Sequence, residues 1–258
     1  LSKRKIKVHY KISPNSAYRI NKLEYKISDE SISQHVTILR KLNKLQLKEG
    51  ELVDLDVLNN EREIISERLN NLGYYEFNKE FITFQIDTNQ TEHSAHLKLI
   101  INNPKKRDLF EDTIRVINHR LFEINKIEIN IYGGAEESRQ VISAEYEGIK
   151  FNYYSADKAV KEEEIERNIL FKLKELYSFK LLTQTRKHLA STGLFENVQI
   201  IFDKVEETEE EGNKLLNCTI NLNLLKKQTV EAESDGTHTN GNYGIEGSLS
   251  YTNRNLFK

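Results

Sequence analysis

Few side chains in this sequence are placed to do chemistry. Cys218 is the single cysteine. It stands in Leu216-Asn-Cys-Thr-Ile-Asn-Leu-Asn-Leu224, where Leu216, Cys218, Ile220, Leu222 and Leu224 share one face of a strand. No His or Asp lies near it in sequence to take its proton, so it reads as a small apolar core residue rather than a nucleophile. A single cysteine also excludes an internal disulfide. The seven histidines are scattered; His93 and His96 lie three apart on a strand and so face opposite sides, poor geometry for one metal ion. The acidic run Glu206-Glu-Thr-Glu-Glu-Glu-Gly212 lacks the ligand spacing of a calcium loop and reads as a solvated turn. Gly241, Gly244 and Gly247 are spaced by three, which does not match a phosphate-cradling G-x-G-x-x-G. Arg62 and Arg186 read as solvated helix residues, and no carboxylate pair stands in an apolar setting. The expectation is a protein that is not an enzyme, with no cofactor and no metal site.

Composition narrows the class further. Of 258 residues, 38% are hydrophobic and 30% charged, with two prolines and eleven glycines, which suits well-solvated, structured domains rather than disorder. A net charge of −2 gives no concentrated basic surface, so nucleic acid is not an expected partner. No apolar run approaches the roughly 18 residues of a membrane helix. The sequence starts at Leu1 and contains no Met, so it reads as a processed protein or an excised fragment.

The organising feature is a repeat. Leu69-Asn-Asn-Leu-Gly-Tyr-Tyr75 reads as the last turn of a helix stopped by Gly73, and Phe81-Ile-Thr-Phe-Gln-Ile-Asp87 alternates as a strand. The same order recurs as Leu189-Ala-Ser-Thr-Gly-Leu-Phe195 followed by Val198-Gln-Ile-Ile-Phe-Asp203. Upstream, Tyr18-Arg-Ile-Asn-Lys-Leu-Glu-Tyr-Lys-Ile27 matches Phe122-Glu-Ile-Asn-Lys-Ile-Glu-Ile-Asn-Ile131. Leu23, Tyr25 and Ile27 form an inward face, and Ile20 is out of phase, which places a bulge near Asn21. Ser31 is a candidate cap for a helix with Ile32, Val36 and Leu39 on one stripe. Asp54 caps a longer one with Leu58, Ile65, Leu69 and Leu72. The return strand carries Ala95, Leu97, Leu99 and Ile101. In the second copy, Ile165 and Ile169 mark the first helix and Ser178 caps the second.

Each copy therefore runs β-α-α-β-β, a three-stranded mixed sheet with two helices on one face, and the fold class is α+β. The division is residues 1–17 (the end strand of a preceding domain or an extension, with Ile6, Val8, Tyr10 and Ile12 alternating), a first domain 18–103, a linker 104–118, a second domain 119–226 with an insertion at 135–155, and a tail 227–258. In the tail, Tyr243, Ile245, Gly247, Leu249 and Tyr251 share one face and Glu246, Ser248 and Ser250 the other, the pattern of a transmembrane β-strand. That tail should belong to neither core. Burial is expected for Leu23, Tyr25, Ile65, Leu69, Phe84 and Leu97 in the first domain. In the second it is expected for Ile127, Ile129, Leu189, Ile200, Cys218 and Ile220.

The repeated unit, opened by aromatic-x-I-x-x-[LI] and closed by L-x-x-x-G-[YL]-[YF], resembles the POTRA (polypeptide-transport-associated) domain. The tail, from Glu231-Ala-Glu-Ser-Asp-Gly236 through Gly244 to Tyr251-Thr-Asn-Arg-Asn-Leu-Phe257, resembles the junction between the last POTRA domain and the barrel in BamA/TamA-type proteins of the bacterial surface antigen family. The resemblance implies a periplasmic arm of an outer-membrane β-barrel that helps fold or insert other barrels. The implied partners are unfolded outer-membrane proteins and periplasmic or lipoprotein assembly factors, with the outer membrane reached through the remainder of the barrel. The same resemblance extends to a dedicated secretion or lipid-transport pore, and a hydrolase with an unrecognised site is the third alternative. One departure concerns the glycine before the second helix: Gly50 supplies it in the first copy, but the second reads Lys174-Glu-Leu-Tyr177. The POTRA arrangement puts the strand after the second helix at the sheet edge, where it is open to strand addition. The implied contact residues are Phe81, Thr83 and Gln85 in the first copy and Gln199 and Ile201 in the second.

Overall fold

A computed structural model describes residues 9–11, 17–89, 92–108, 113–133, 137–155, 158, 160–205, 212–225, 228–239 and 242–253. The strand read at 6–12 and the acidic run at 206–212 lie largely outside these residues. The chain divides into two compact units, one of residues 1–69 and 76–119, the other of 70–75 and 120–258.

In the first unit, strand β1 (Arg19–Ile27) leads to helix α1 (Glu30–Lys41) and helix α2 (Leu55–Asn70), then to the hairpin of β2 (Ile82–Asn89) and β3 (Ser94–Ile101). The sheet order is β1-β3-β2, with β3 parallel to β1 and antiparallel to β2. The register of β1 slips between Ile20 and Lys22, the bulge that the phase of Ile20 demands. Helix α1 buries Ile32, Val36 and Leu39. Its cap is Asp29, not Ser31: the Asp29 carboxylate accepts the Ile32 N–H at 3.3 Å through one oxygen and the His119 N–H at 2.9 Å through the other. Ser31 already lies inside the first turn, one residue past the start of α1, so it cannot be the residue that caps it. Asp54 starts α2, accepting the Asp56 N–H on its side chain and the Leu58 N–H on its carbonyl. Gly73, at φ +106°, ends that segment in the left-handed region.

The second unit repeats the plan with β6 (Phe122–Tyr132), α3 (Glu162–Glu166), α4 (Phe179–Ser191), β9 (Phe195–Lys204) and β10 (Lys214–Leu224). Its bulge falls at Asn125, the counterpart of Asn21, where Ile124 and Lys126 pair with successive residues of β10. Here the sheet is wider than three strands. The insertion folds into a hairpin of β7 (Glu137–Tyr146) and β8 (Ile149–Ser155), giving the order β7-β8-β6-β10-β9. Helix α3 is a single turn, left at Asn168, whose side-chain amide donates to the Glu164 carbonyl. Ile169 is buried beyond it. Within residues 104–118, β4 (Lys105–Asp108) pairs with β5 (Thr113–Val116) as a two-stranded ribbon. The hairpin of β11 (Gln228–Thr239) and β12 (Asn242–Asn253) forms its own sheet and joins neither core.

The cores are those the alternation calls for, with three shortfalls. Ile65, Leu69 and Leu97 are fully buried in the first unit, and all six residues expected in the second are buried. Leu23, Tyr25 and Phe84 are only half-buried.

Beneath the different sequences the two units share the same buried polar bonds. In the first, the Gln46 N–H donates to Glu61 Oε2 at 2.7 Å; in the second, the Leu170 N–H donates to Thr185 Oγ1 at 3.0 Å. Both acceptors are fully buried. Burial pushes the Glu61 carboxyl up, against the pull of the Gln46 and Leu47 N–H groups, and its second oxygen lacks a partner. The turn before the second helix is also shared: Gly50 N–H donates to the Ile20 carbonyl at 2.7 Å, and Lys174 N–H to the Ile124 carbonyl at 2.7 Å. Gly50 sits at φ +90° and Lys174 at φ +64°. The missing glycine therefore did not change the local structure; Lys174 occupies the left-handed conformation against its side chain's preference, at a cost of roughly 1–2 kcal/mol.

Lys174→Gly is expected to raise the stability of the second unit by about 1 kcal/mol, read from urea midpoints. An unchanged or lower midpoint would contradict a strained turn. Glu61→Gln is expected to stabilise the first unit at neutral pH. A carboxyl whose folded pKa is raised contributes fully below its unfolded value and loses that contribution as pH rises through the folded one. The gain over wild type should vanish at about pH 4, and a gain that persisted there would point to packing rather than charge.

Candidate functional site

Strands β2 and β9 are sheet edges, each flanked on its inner side by the central strand of its unit. Which of their backbone groups face outward follows from the terminal hydrogen bonds. Asn102 N–H donates to the Phe81 carbonyl at 2.8 Å, and Ile82 pairs with Ile101. That makes the Ile82–Ile101 pair one whose own N–H and C=O groups point away from each other, so the next pair, Thr83 with Ile100, exchanges both bonds. Along the unbroken register to Asn89, the outward groups belong to Phe84, Ile86 and Thr88. Ile82 also points outward, but its N–H is held by the Lys79 carbonyl.

On β9, Val205 N–H donates to the Leu215 carbonyl at 3.0 Å while Lys204 pairs with Leu216. The same alternation gives Phe202, Ile200 and Val198 outward groups. The Tyr75 hydroxyl confirms this phase independently, donating to the Phe202 carbonyl at 3.3 Å. Tyr75 belongs to the second unit and packs edge-on against Tyr177, at 4.9 Å between ring centroids, and Phe122, at 5.4 Å. One end of the β9 edge is thereby covered, and Val198 and Ile200 remain.

The residues singled out from sequence are thus placed differently from one another. Thr83, Gln85, Gln199 and Ile201 do lie on the edge strands with exposed side chains. Their N–H groups, however, point inward to β3 or β10. Thr83 Oγ1 also accepts from the Asn102 amide at 3.2 Å. Phe81 is not in the strand. It ends a 3-10 turn, Lys79–Phe81, and its ring packs against Phe77 at 5.6 Å and His119 at 4.7 Å. The backbone donors that sequence reading missed, at Phe84, Ile86, Thr88, Val198 and Ile200, carry no signal of their own in the sequence. Period-two alternation fixes the face of each side chain, and only the turn bonds fix which N–H looks outward.

Other chemistry is sparse. Cys218 is buried on the inner face of β10, and burial pushes its thiol well above the ordinary range. Among the described residues, no cluster of three or more His, Cys, Asp or Glu could hold a metal ion, and no helix is long and apolar enough to cross a membrane. On the β11–β12 hairpin, Val230, Ile245, Leu249 and Tyr251 are all exposed, and Val230 pairs across with Tyr251.

Comparison with known proteins places this geometry. Residues 18–103 match the POTRA family, described as the surface antigen variable number repeat. The crystal structure of BamA from Haemophilus ducreyi lacking POTRA domains 1–3 superposes with a TM-score of 0.52 at 14% identity, over 93% of this chain and 35% of that one. BamA POTRA3–5 from Haemophilus influenzae matches at 10% identity and a TM-score of 0.45, over 80% of this chain and 61% of that one. No curated protein matches the sequence. This chain is a POTRA-containing protein. It shares its fold with that BamA structure and spans about a third of its length.

His119 gives the first unit a pH signature. Its ring is buried against Phe77 and Phe81 with Nε2 3.0 Å from the Asn102 carbonyl. Burial lowers its pKa below 6.5, opposed by the Asn102 carbonyl and the Asp29 and Glu76 charges. The unfolded chain therefore takes up the proton first, and stability is full above about pH 6.5 and falls as pH drops below it. Urea midpoints should fall less between about pH 7.5 and 5 for His119→Gln than for wild type, with the lowered His35 contributing equally to both. Equal falls would mean that burial does not lower the His119 pKa in the fold.

Proposed function

We propose that the chain is the periplasmic POTRA arm of an outer-membrane β-barrel protein, and that it assists the folding or insertion of other barrels by pairing with their extended segments. The observation that carries this reading is the repeated open edge: Phe84, Ile86 and Thr88 in one unit, and Val198 and Ile200 in the other, turn their backbone donors and acceptors outward. Main-chain pairing asks little of a partner's sequence beyond its ability to form a strand, which suits a varied set of unfolded outer-membrane clients or lipoprotein assembly partners. The magnitude also suits it. Three outward residues offer about six backbone bonds, each worth about 1 kcal/mol net, which corresponds to dissociation constants of tens of micromolar before ordering costs. A contact that weak holds an extended chain and still releases it.

The β11–β12 hairpin supports the membrane end of the reading. It carries apolar side chains on a face that neither core covers, as the first two strands of a barrel would before the barrel closes.

Proline tests the edges, because it removes one N–H and is tolerated where that N–H pointed away from the sheet. Ile86→Pro and Val198→Pro should leave each unit folded, while Thr83→Pro breaks a ladder bond and should lower the melting temperature. Titrating each variant with an outer-membrane β-barrel polypeptide diluted from urea should show binding weakened several-fold by Ile86→Pro, by Val198→Pro, or by the two together. Wild-type affinity in the folded double variant would remove both edges from the function.

A further inference from the structure

The two units are internal controls for each other. Their shared bonds align Ile20 with Ile124, Gly50 with Lys174 and Gln46 with Leu170, so Leu23, Tyr25 and Ile27 of β1 correspond to Ile127, Ile129 and Ile131 of β6. The β6 residues are completely buried and the β1 residues only half so. The difference lies in the insertion. Strand β8 runs parallel to β6, pairing Glu128–Tyr132 with Lys150–Tyr154, and lays Ile149, Phe151 and Tyr153 over the core. In the first unit, among the described residues, β1 has β3 on one side and no strand on the other.

What the first unit has at that place is a cleft of about 310 Å³, floored by Leu23, Tyr25, Leu45 and Leu47 and rimmed by Arg40, Asn43, Lys48 and Glu49. The corresponding cavity in the second unit, against Ile127, Ile169 and Phe171, has shrunk to about 160 Å³ and is lined in part by Ile149 of β8. The backbone of β1 is aimed into the open side. At the start of the strand that edge is closed, since Ile20 exchanges bonds with Gly50 and Glu51, and Leu23 donates its N–H to Glu49 Oε1 at 3.0 Å. By alternation, Tyr25 and Ile27 turn their N–H and C=O the same way. The Arg40 guanidinium lies 4.3 Å from the centre of the Tyr25 ring, exposed and over the floor.

We propose that the β1 edge of the first unit, over Tyr25–Ile27, accepts an extended segment of another polypeptide running parallel to β1, with apolar side chains at alternate positions entering the cleft. It is the place that β8 fills within the second unit. With Arg40 and Lys48 against the single acid Glu49, which the Leu23 N–H already engages, the rim favours a segment with an acidic residue or a terminal carboxylate beside its apolar positions. This edge is on the opposite side of the sheet from β2 and does not depend on the contact proposed above.

The second unit supplies the probe: a synthetic peptide of residues 149–155, Ile-Lys-Phe-Asn-Tyr-Tyr-Ser. Titrated into the full chain, it should produce saturable amide shifts at Leu23–Ile27 and Leu45–Lys48. Arg40→Trp, which fills the cleft from an exposed helix position and leaves the β1 backbone groups in place, should abolish those shifts, and Ile86→Pro on the β2 edge should leave them intact. Tyr25→Pro is a second variant that removes the outward donor itself. Shifts confined to β2 or β9, shifts that survive Arg40→Trp, or no saturable shift at β1 would overturn the proposal. Binding at β2 alone would do so while leaving the edge-pairing function standing.

Discussion

In each unit a central strand, β3 or β10, takes a parallel partner on one side and an antiparallel partner on the other, and everything else is arranged around that pairing. A central strand satisfies its backbone on both sides; its neighbours cannot, because they are reached from one side only. The antiparallel neighbour, β2 or β9, comes directly from a hairpin and so ends the sheet. Alternation then leaves every second residue of that strand with its donor and acceptor turned to solvent. Most proteins blunt such an edge with charge, proline or a bulge. Here β2 presents Phe84, Ile86 and Thr88 with no proline or bulge and one charge, Asp87, with an exposed Ile86 among them.

The opposite edge shows how the same problem is solved locally. A short extended segment before the second helix, 49–53 or 174–177, pairs with the start of β1 or β6 and closes it in both units. The turn that starts this segment needs a left-handed residue, which one copy supplies as Gly50 and the other imposes on Lys174. Beyond the closed stretch the units diverge, since one gains two strands and the other keeps a cleft. The half-burial of Leu23 and Tyr25 and the width of the second sheet are thus two sides of one difference.

Much of the fold was legible in the sequence because side-chain periodicity reports faces. The phase break at Ile20 points to a bulge near Asn21, where the register slips, and the alternation through Cys218 marks the core face of β10. What periodicity does not report is which direction a backbone N–H takes, since both phases of a strand carry the same side-chain pattern. For that reason side-chain alternation picks out Thr83, Gln85, Gln199 and Ile201, whose N–H groups point inward, and says nothing of their neighbours, whose N–H groups point outward. Phe81 was read as strand because its hydrophobicity fits the alternation, whereas its ring is committed to Phe77 and His119. The Asp29 cap was missed for a similar reason: its second hydrogen bond goes to His119, ninety residues away, and no local pattern reveals it.

The most direct measurement of the central claim is residue-resolved amide hydrogen exchange along β2 and β9, in the free chain and with a saturating unfolded outer-membrane polypeptide. In the free chain Thr83, Gln85, Gln199 and Ile201 should be protected, while Phe84, Ile86, Thr88, Val198 and Ile200 exchange rapidly. Added client should slow the second set and leave the first unchanged. Protection of Phe84, Ile86 or Val198 in the free chain, or exchange that the client does not alter, would contradict open edges as the contact surface.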